Sequence, residues 1–331
     1  MINDEDFDVE VPTLYDEDSP YSDTTQPDQP IFLIALSNLA RLIKPLVLTY
    51  NPRGISNDLL RSYAESLAAC MQTFPGDLQL SSTTPLDPIN LPVITSFQNT
   101  CLLMYRQNLS PQCSQEQRIQ AIDQCVNVAC DTASILNRCM CVQLQFADWQ
   151  NRLATSASTL LCTHLWRCAL FTIHRGYHDA SLTLIRALAT IGDAKEIVLN
   201  CGRYLSFFLR QTLSRMEKIP PSHLDTDEEL LAYLSADLQS NHRTAWIWED
   251  DHTSRREDSY FPKSSPPPVN HHLSENERND WGGWEYVERT VQQLQQQQRQ
   301  RQPRSLPLPL PQIQTQGQQQ PRNRMDISHI T

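Results

Sequence analysis

Between Ser114 and Met140, the apolar residues Ile119, Ile122, Val126, Ala129, Ala133, Leu136 and Met140 recur at alternating steps of three and four. At that period the side chains share one face of an α-helix. Ser114 and Gln117 open the stretch at the spacing of a capping box, in which each residue satisfies a backbone N–H at the other. The same alternation places Leu60, Tyr63, Leu67, Cys70 and Phe74 on one face of a helix that starts at Ser56 and is closed by Pro75 and Gly76. Leu91 to Leu109 carries Pro92 in its first turn and runs through Ile94, Phe97, Cys101 and Met104. Three more helices are predicted over 154–174, 177–191 and 194–216. Gly176 and Gly192 fall at the two breaks, where a left-handed residue closes a helix without a Cβ penalty. Short turns of this kind predict three antiparallel neighbours. A further short helix is expected over 226–238. Only 8 glycines occur in 331 residues, and the central segments favour Leu, Ala, Ile, Gln and Arg. The expected fold is therefore all-α.

The ends have a different composition. Residues 1–30 hold ten Asp or Glu and no Lys or Arg, so of the net charge of −11 only −1 is left for the rest of the chain. We read 1–30 as an acidic, extended segment, 31–240 as the helical domain and 241–280 as a polar linker rich in Pro, Ser and His. Residues 281–296 read as a Trp-containing helix, and 297–331 as a Gln/Pro-rich tail too poor in apolar residues to offset the entropy of ordering. A nearly neutral body offers no broad basic face for a nucleic-acid backbone. The apolar run 31–49 is interrupted by Ser37, Asn38, Arg41, Lys44 and Pro45, so neither a secretory leader nor a membrane span is expected. Ten cysteines lie mostly inside apolar helical stretches and read as reduced, buried thiols of an intracellular protein.

One stretch, "CTHLWRCALFTIHRGYH" (Cys162 to His178), uses the vocabulary of a zinc site. On a continuous helix His164, Cys168, His174 and His178 share a face, but His164 and His178 would lie about 21 Å apart along the axis. Ligands of one zinc sit within about 2.3 Å of it. The pairs His164/Cys168 and His174/His178 could each supply two ligands, yet the second straddles Gly176. Cys139 and Cys141 point to different sides of a helix. The expectation is core cysteines and partnered histidines, with no metal and no cofactor. "WEDDHTSRRED" (248–258) is similar to an Asp-rich magnesium motif but has Ser254 where a second acid belongs. No glycine-rich phosphate loop, G-x-S-x-G elbow or H-E-x-x-H helix occurs. No catalytic residue is assigned.

In "WGGWEYVERTVQQL" the residues Trp284, Val287, Val291 and Leu294 form a narrow stripe, with Trp281 just ahead of two glycines. These five are the candidate docking residues. A stripe so narrow does not persist unpaired in water, so the favoured reading is a helix packed back on its own domain with Trp284 as anchor, ahead of a coactivator-docking helix.

"MINDEDFDVE", "THLWRCALFTIHRGYHDASLTLIRALATIGDAKEIVLNCGRYLSFFLR" and "WGGWEYVE", in that order, resemble the later part of the regulatory region of fungal binuclear zinc-cluster transcription factors. The branch of acetamidase- and cutinase-type regulators is the nearest in character. The resemblance spans roughly residues 1–294, and Thr163 to Arg210 carries most of it. It implies a helical regulatory domain, a nuclear location, transcriptional coregulators as partners and room for a homodimer. The family's six-cysteine, two-zinc cluster and its basic stretch have no counterpart here. No residue inherits zinc or DNA contacts, and DNA would be reached only through a module this chain lacks. The first half of the family's helical domain is also missing, which leaves a truncated gene model, a degenerate cluster-linked copy or a natural fragment as expectations. A free-standing helical scaffold or dominant-negative partner is the alternative, and a helical enzyme with a buried cavity the third.

Overall fold

The computed structural model describes residues 37–43, 45–46, 49, 53–140, 148–218, 221–235 and 281–301. The acidic segment 1–30, the linker 241–280 with its Asp-rich run, Cys141 and residues 302–331 lie outside them. Among the described residues 84% are helical and none is in a strand, so the fold is all-α.

α1 (Asn57–Gln72) starts at Ser56, whose hydroxyl accepts from the Leu59 N–H. α2 (Leu91–Arg106) carries Pro92 in its first turn and tightens into a 3₁₀ turn, Gln107–Leu109. α3 (Gln115–Met140) opens on the expected reciprocal cap. The Ser114 N–H donates to Gln117 Oε1 at 2.9 Å, and the Gln117 N–H donates to Ser114 Oγ at 3.2 Å. Its buried face is wider than the predicted stripe and includes Cys125, Val128, Thr132, Ile135 and Cys139, because α3 touches several helices at once. Arg138, on that face, donates to the Thr84 and Gln79 carbonyls at 2.7 and 3.3 Å and also reaches the Asp77 carbonyl. It holds down the loop between α1 and α2 by satisfying backbone acceptors.

The predicted helix over 154–174 is two helices. α4 (Trp149–Ser156) stops, and α5 (Thr159–Arg175) restarts with Ser158 Oγ capping the Leu161 N–H at 3.1 Å. Ser156 turns its hydroxyl back to the Pro88 and Leu153 carbonyls, the local bonding by which serine favours helix ends. α5 ends at Gly176, φ 74°, as a left-handed cap: the Gly176 and Tyr177 N–H groups bond back to Ile173 and Thr172. α6 (His178–Ile191) follows, then the 3₁₀ turn Gly192–Ala194 and α7 (Glu196–Met216). α5 is the central helix and packs on α2, α3, α6 and α7. α7 leans on α5 more than on α6. The last described helix, α9 (Gly283–Arg301), occupies the side of α6 and α7 and runs beyond the expected end at 296. α8 (Glu228–Ser235) is pinned to α7: the Tyr204 hydroxyl donates to the Tyr233 carbonyl at 2.8 Å, and Arg215 pairs with Asp227 at 2.9 Å. No helix among the described residues is long and apolar enough to cross a membrane.

Candidate functional site

Of the five candidate docking residues, Val287, Val291 and Leu294 are buried along α9, on the side that meets α6 and α7. Trp284 is only half-buried and meets the Trp281 ring edge-on, with centroids 5.4 Å apart. Trp281, one turn before the stripe and outside the helix, is the deeper of the two at 6% exposure. Its ring lies against the backbone of α7 at Gly202. A Cβ on Gly202 would come within 2.5 Å of Trp281 Cη2 and within 2.9 Å of two further ring carbons. The Trp281 carbonyl accepts from the buried Ser206 hydroxyl, one turn along α7, at 2.8 Å. Gly282 and Gly283, at φ 89° and 72°, let the chain turn sharply from this anchor into α9. The rim is polar. Arg186 pairs with Glu288 at 2.8 Å, and the Gln295 amide donates to Asp179 at 2.6 Å. Both contacts are exposed and fix register more than they stabilise.

Gly202 and Ser206 carry no mark in the sequence that would single them out. Only the near-absence of glycine from the other helices hints that Gly202, inside α7, makes room for something. Trp281 stands ahead of the periodic stripe, so periodicity favours Trp284 instead.

The Cys/His stretch is split among separate environments. His164 and Cys168 do meet. His164 Nε2 lies 3.0 Å from Thr132 Oγ1 and 3.5 Å from Cys168 Sγ, all three buried. The Thr132 hydroxyl gives its hydrogen to the Val128 carbonyl at 2.9 Å, so it accepts from His164 Nε2–H, which fixes the tautomer. Burial, helped by the nearby Arg167 charge, pushes the imidazole down to about 3, and burial pushes the Cys168 thiol up to about 12. Both are neutral near pH 7. A nucleophilic pair needs a thiolate beside a proton-accepting imidazole, and this environment drives both groups the opposite way.

His174 lies farther along α5 and donates from Nε2 to Asp225 at 3.0 Å. Arg175 joins the same carboxylate and also bonds Asp123 of α3 at 2.7 Å. Burial of Asp225 works to raise its pKa, but the hydrogen bonds and charges of His174 and Arg175 outweigh it and hold the carboxyl below its usual range. This network ties α3, α5 and the turn before α8 together. His178 sits past Gly176 at the start of α6, away from both groups. Cys162 lies at another place again, close to α7, where its backbone carbonyl is 3.8 Å from Cys201 Sγ. Among the described residues no group of three or more His, Cys, Asp or Glu is arranged to hold a metal ion.

The chain matches no family model, and no curated protein or solved structure is significantly similar to it.

Proposed function

We propose that this chain is the helical regulatory region of a fungal zinc-cluster type of transcription factor. In this reading it acts in the nucleus on RNA polymerase II transcription of metabolic genes by binding coregulators. DNA contact comes from a zinc-cluster module outside these 331 residues, and the chain itself does no catalysis. One observation carries the reading. The two blocks that hold most of the resemblance, 163–210 and 281–288, are separated by residues 211–280, yet they form one packing unit with Trp281 seated on Gly202 of the first block. Two such segments retained together, and meeting through a fit that needs glycine on one side and tryptophan on the other, suit a shared domain better than chance similarity. The neutral, buried state of His164 and Cys168 is in keeping with a scaffold.

The test is to fuse the whole chain to an unrelated DNA-binding module and measure a reporter carrying that module's sites in a fungal cell. Expression of the reporter should rise or fall relative to the module alone. A fusion that is expressed and reaches the nucleus but leaves the reporter unchanged would overturn the transcriptional reading and favour the free-standing scaffold.

A further inference from the structure

A hollow of about 250 Å³ lies between α1 and α3, closed on a third side by the end of α2. That volume suits a single small ring rather than a drug-sized molecule. α1 packs on α2 and hardly touches α3, and the gap between them is lined by the small side chains of Ala64 and Ala121 beside Leu60 and the Tyr105 ring. Asn108 fixes its shape. Buried in the wall, its side chain accepts from the Ile55 N–H at 2.6 Å and donates to the Ile55 carbonyl at 2.9 Å, which ties the start of α1 to the end of α2. Five of the ten lining residues are carboxamides and none is a carboxylate, so the polar lining is almost wholly neutral. Gln120 and Gln124 stand one turn apart on α3, and Asn57 and Arg61 one turn apart on α1, so each pair shares a helix face. Among the described residues the side chains of Asn57, Gln120 and Gln124 and the Tyr105 hydroxyl make no hydrogen bond. Burial raises the Tyr105 phenol above its usual range, so it keeps its proton and remains a donor. Arg61, the one charged group of the lining, is 70% exposed and lies 3.8 Å from Asp58.

We propose that this hollow binds a small, neutral, single-ring heterocycle that carries an N–H beside a C=O. A carboxamide meets such an edge with two parallel hydrogen bonds, its oxygen accepting from the N–H and its nitrogen donating to the C=O. Gln124, half-buried where Gln120 is exposed, makes this pair, and the Tyr105 hydroxyl donates to a further acceptor on the ring. The ring faces lie against Leu60 and the two alanines. A carboxylate or phosphate is poorly matched, because the single cation is exposed, shares its charge with Asp58, and has only neutral groups beside it. Binding is read on the purified whole chain, so it stands or falls separately from the transcriptional role.

The experiment is calorimetric titration of the whole chain with uracil and with dimethyluracil, which keeps the ring and both carbonyls but has a methyl on each nitrogen. Uracil should bind, and dimethyluracil should bind roughly tenfold more weakly or not at all, as expected when the paired hydrogen bonds are lost. Gln124→Leu keeps the size of the side chain and removes its amide, and should weaken uracil by a similar factor. Ala64→Phe fills the hollow from a half-buried position and should abolish binding, with the urea midpoint of each variant checked against the parent. The inference is overturned if uracil does not bind up to about 10 mM. It is overturned equally if dimethyluracil binds as well as uracil, or if either folded variant binds uracil like the parent.

Discussion

α5 and α9 are helices of similar length fastened in opposite ways. α5 buries twelve of its 17 residues and is surrounded by α2, α3, α6 and α7. Its polar side chains are absorbed by that enclosure: His164 by Thr132, Thr172 by the Cys168 carbonyl, His174 by Asp225. α9 touches α6 and α7 through one stripe, exposes residues 296–300, and depends on a tryptophan that precedes it in the chain. A helix enclosed on every side has no local failure, since any void in it is felt by each neighbour. A helix held along one edge can leave without the others.

The largest expected effect therefore comes from α5. Trp166 is fully buried and meets the Tyr204 ring edge-on with centroids 4.9 Å apart. Trp166→Ala should cost about 3–5 kcal/mol, seen as a lower urea midpoint for the whole cooperative transition. A loss under about 1 kcal/mol would mean that α5 is not the keystone and would remove the contrast with α9.

Acid acts on the same helix. The folded His164 imidazole takes up a proton only near pH 3, whereas in the unfolded chain it does so near pH 6.5. The unfolded state thus binds the extra proton across that window. Stability from this group is complete above about pH 6.5 and falls as the pH drops toward 3, by about 2 kcal/mol between pH 7 and pH 5. Asp225, held below its usual range, contributes its own loss only at lower pH, through the carboxylate range. Urea unfolding of the parent and of His164→Gln at pH 7 and pH 5 checks this. The variant should lose the His164 share of the difference and keep that of His178, whose imidazole burial also pushes down, and an unchanged difference would mean the sensitivity lies elsewhere.

How far each region was legible in the sequence follows the same contrast. α3 could be read from its periodicity, and even its Ser114/Gln117 cap, because both signals are local. Gly176 announced the turn after α5 for the same reason. The break at 157–158 was missed because no Gly or Pro marks it and apolar residues continue on both sides; the only sign was the run of Ser and Thr around Ser158. The seat of α9 was half-read. Val287, Val291 and Leu294 follow the stripe, but the choice of Trp281 over Trp284 is made by Gly202 and Ser206 on a helix distant in sequence. No spacing rule connects them.

Gly202→Ala gives the smallest change in overall stability and the sharpest separation of the two regions. Within α7 the substitution replaces a helix-interior glycine and should stabilise that helix by about 1 kcal/mol. At the same time the new methyl would stand 2.5 Å from the Trp281 ring, so the ring, which also meets Trp284 edge-on, must shift. Opposite signs are thus expected in one molecule. The urea midpoint of the body should hold or rise slightly, while α9 amides exchange faster and protease cleaves ahead of Trp281 more readily. If the body instead loses several kcal/mol together with α9, the two unfold as one unit. α9 would then be part of the core, as α5 is.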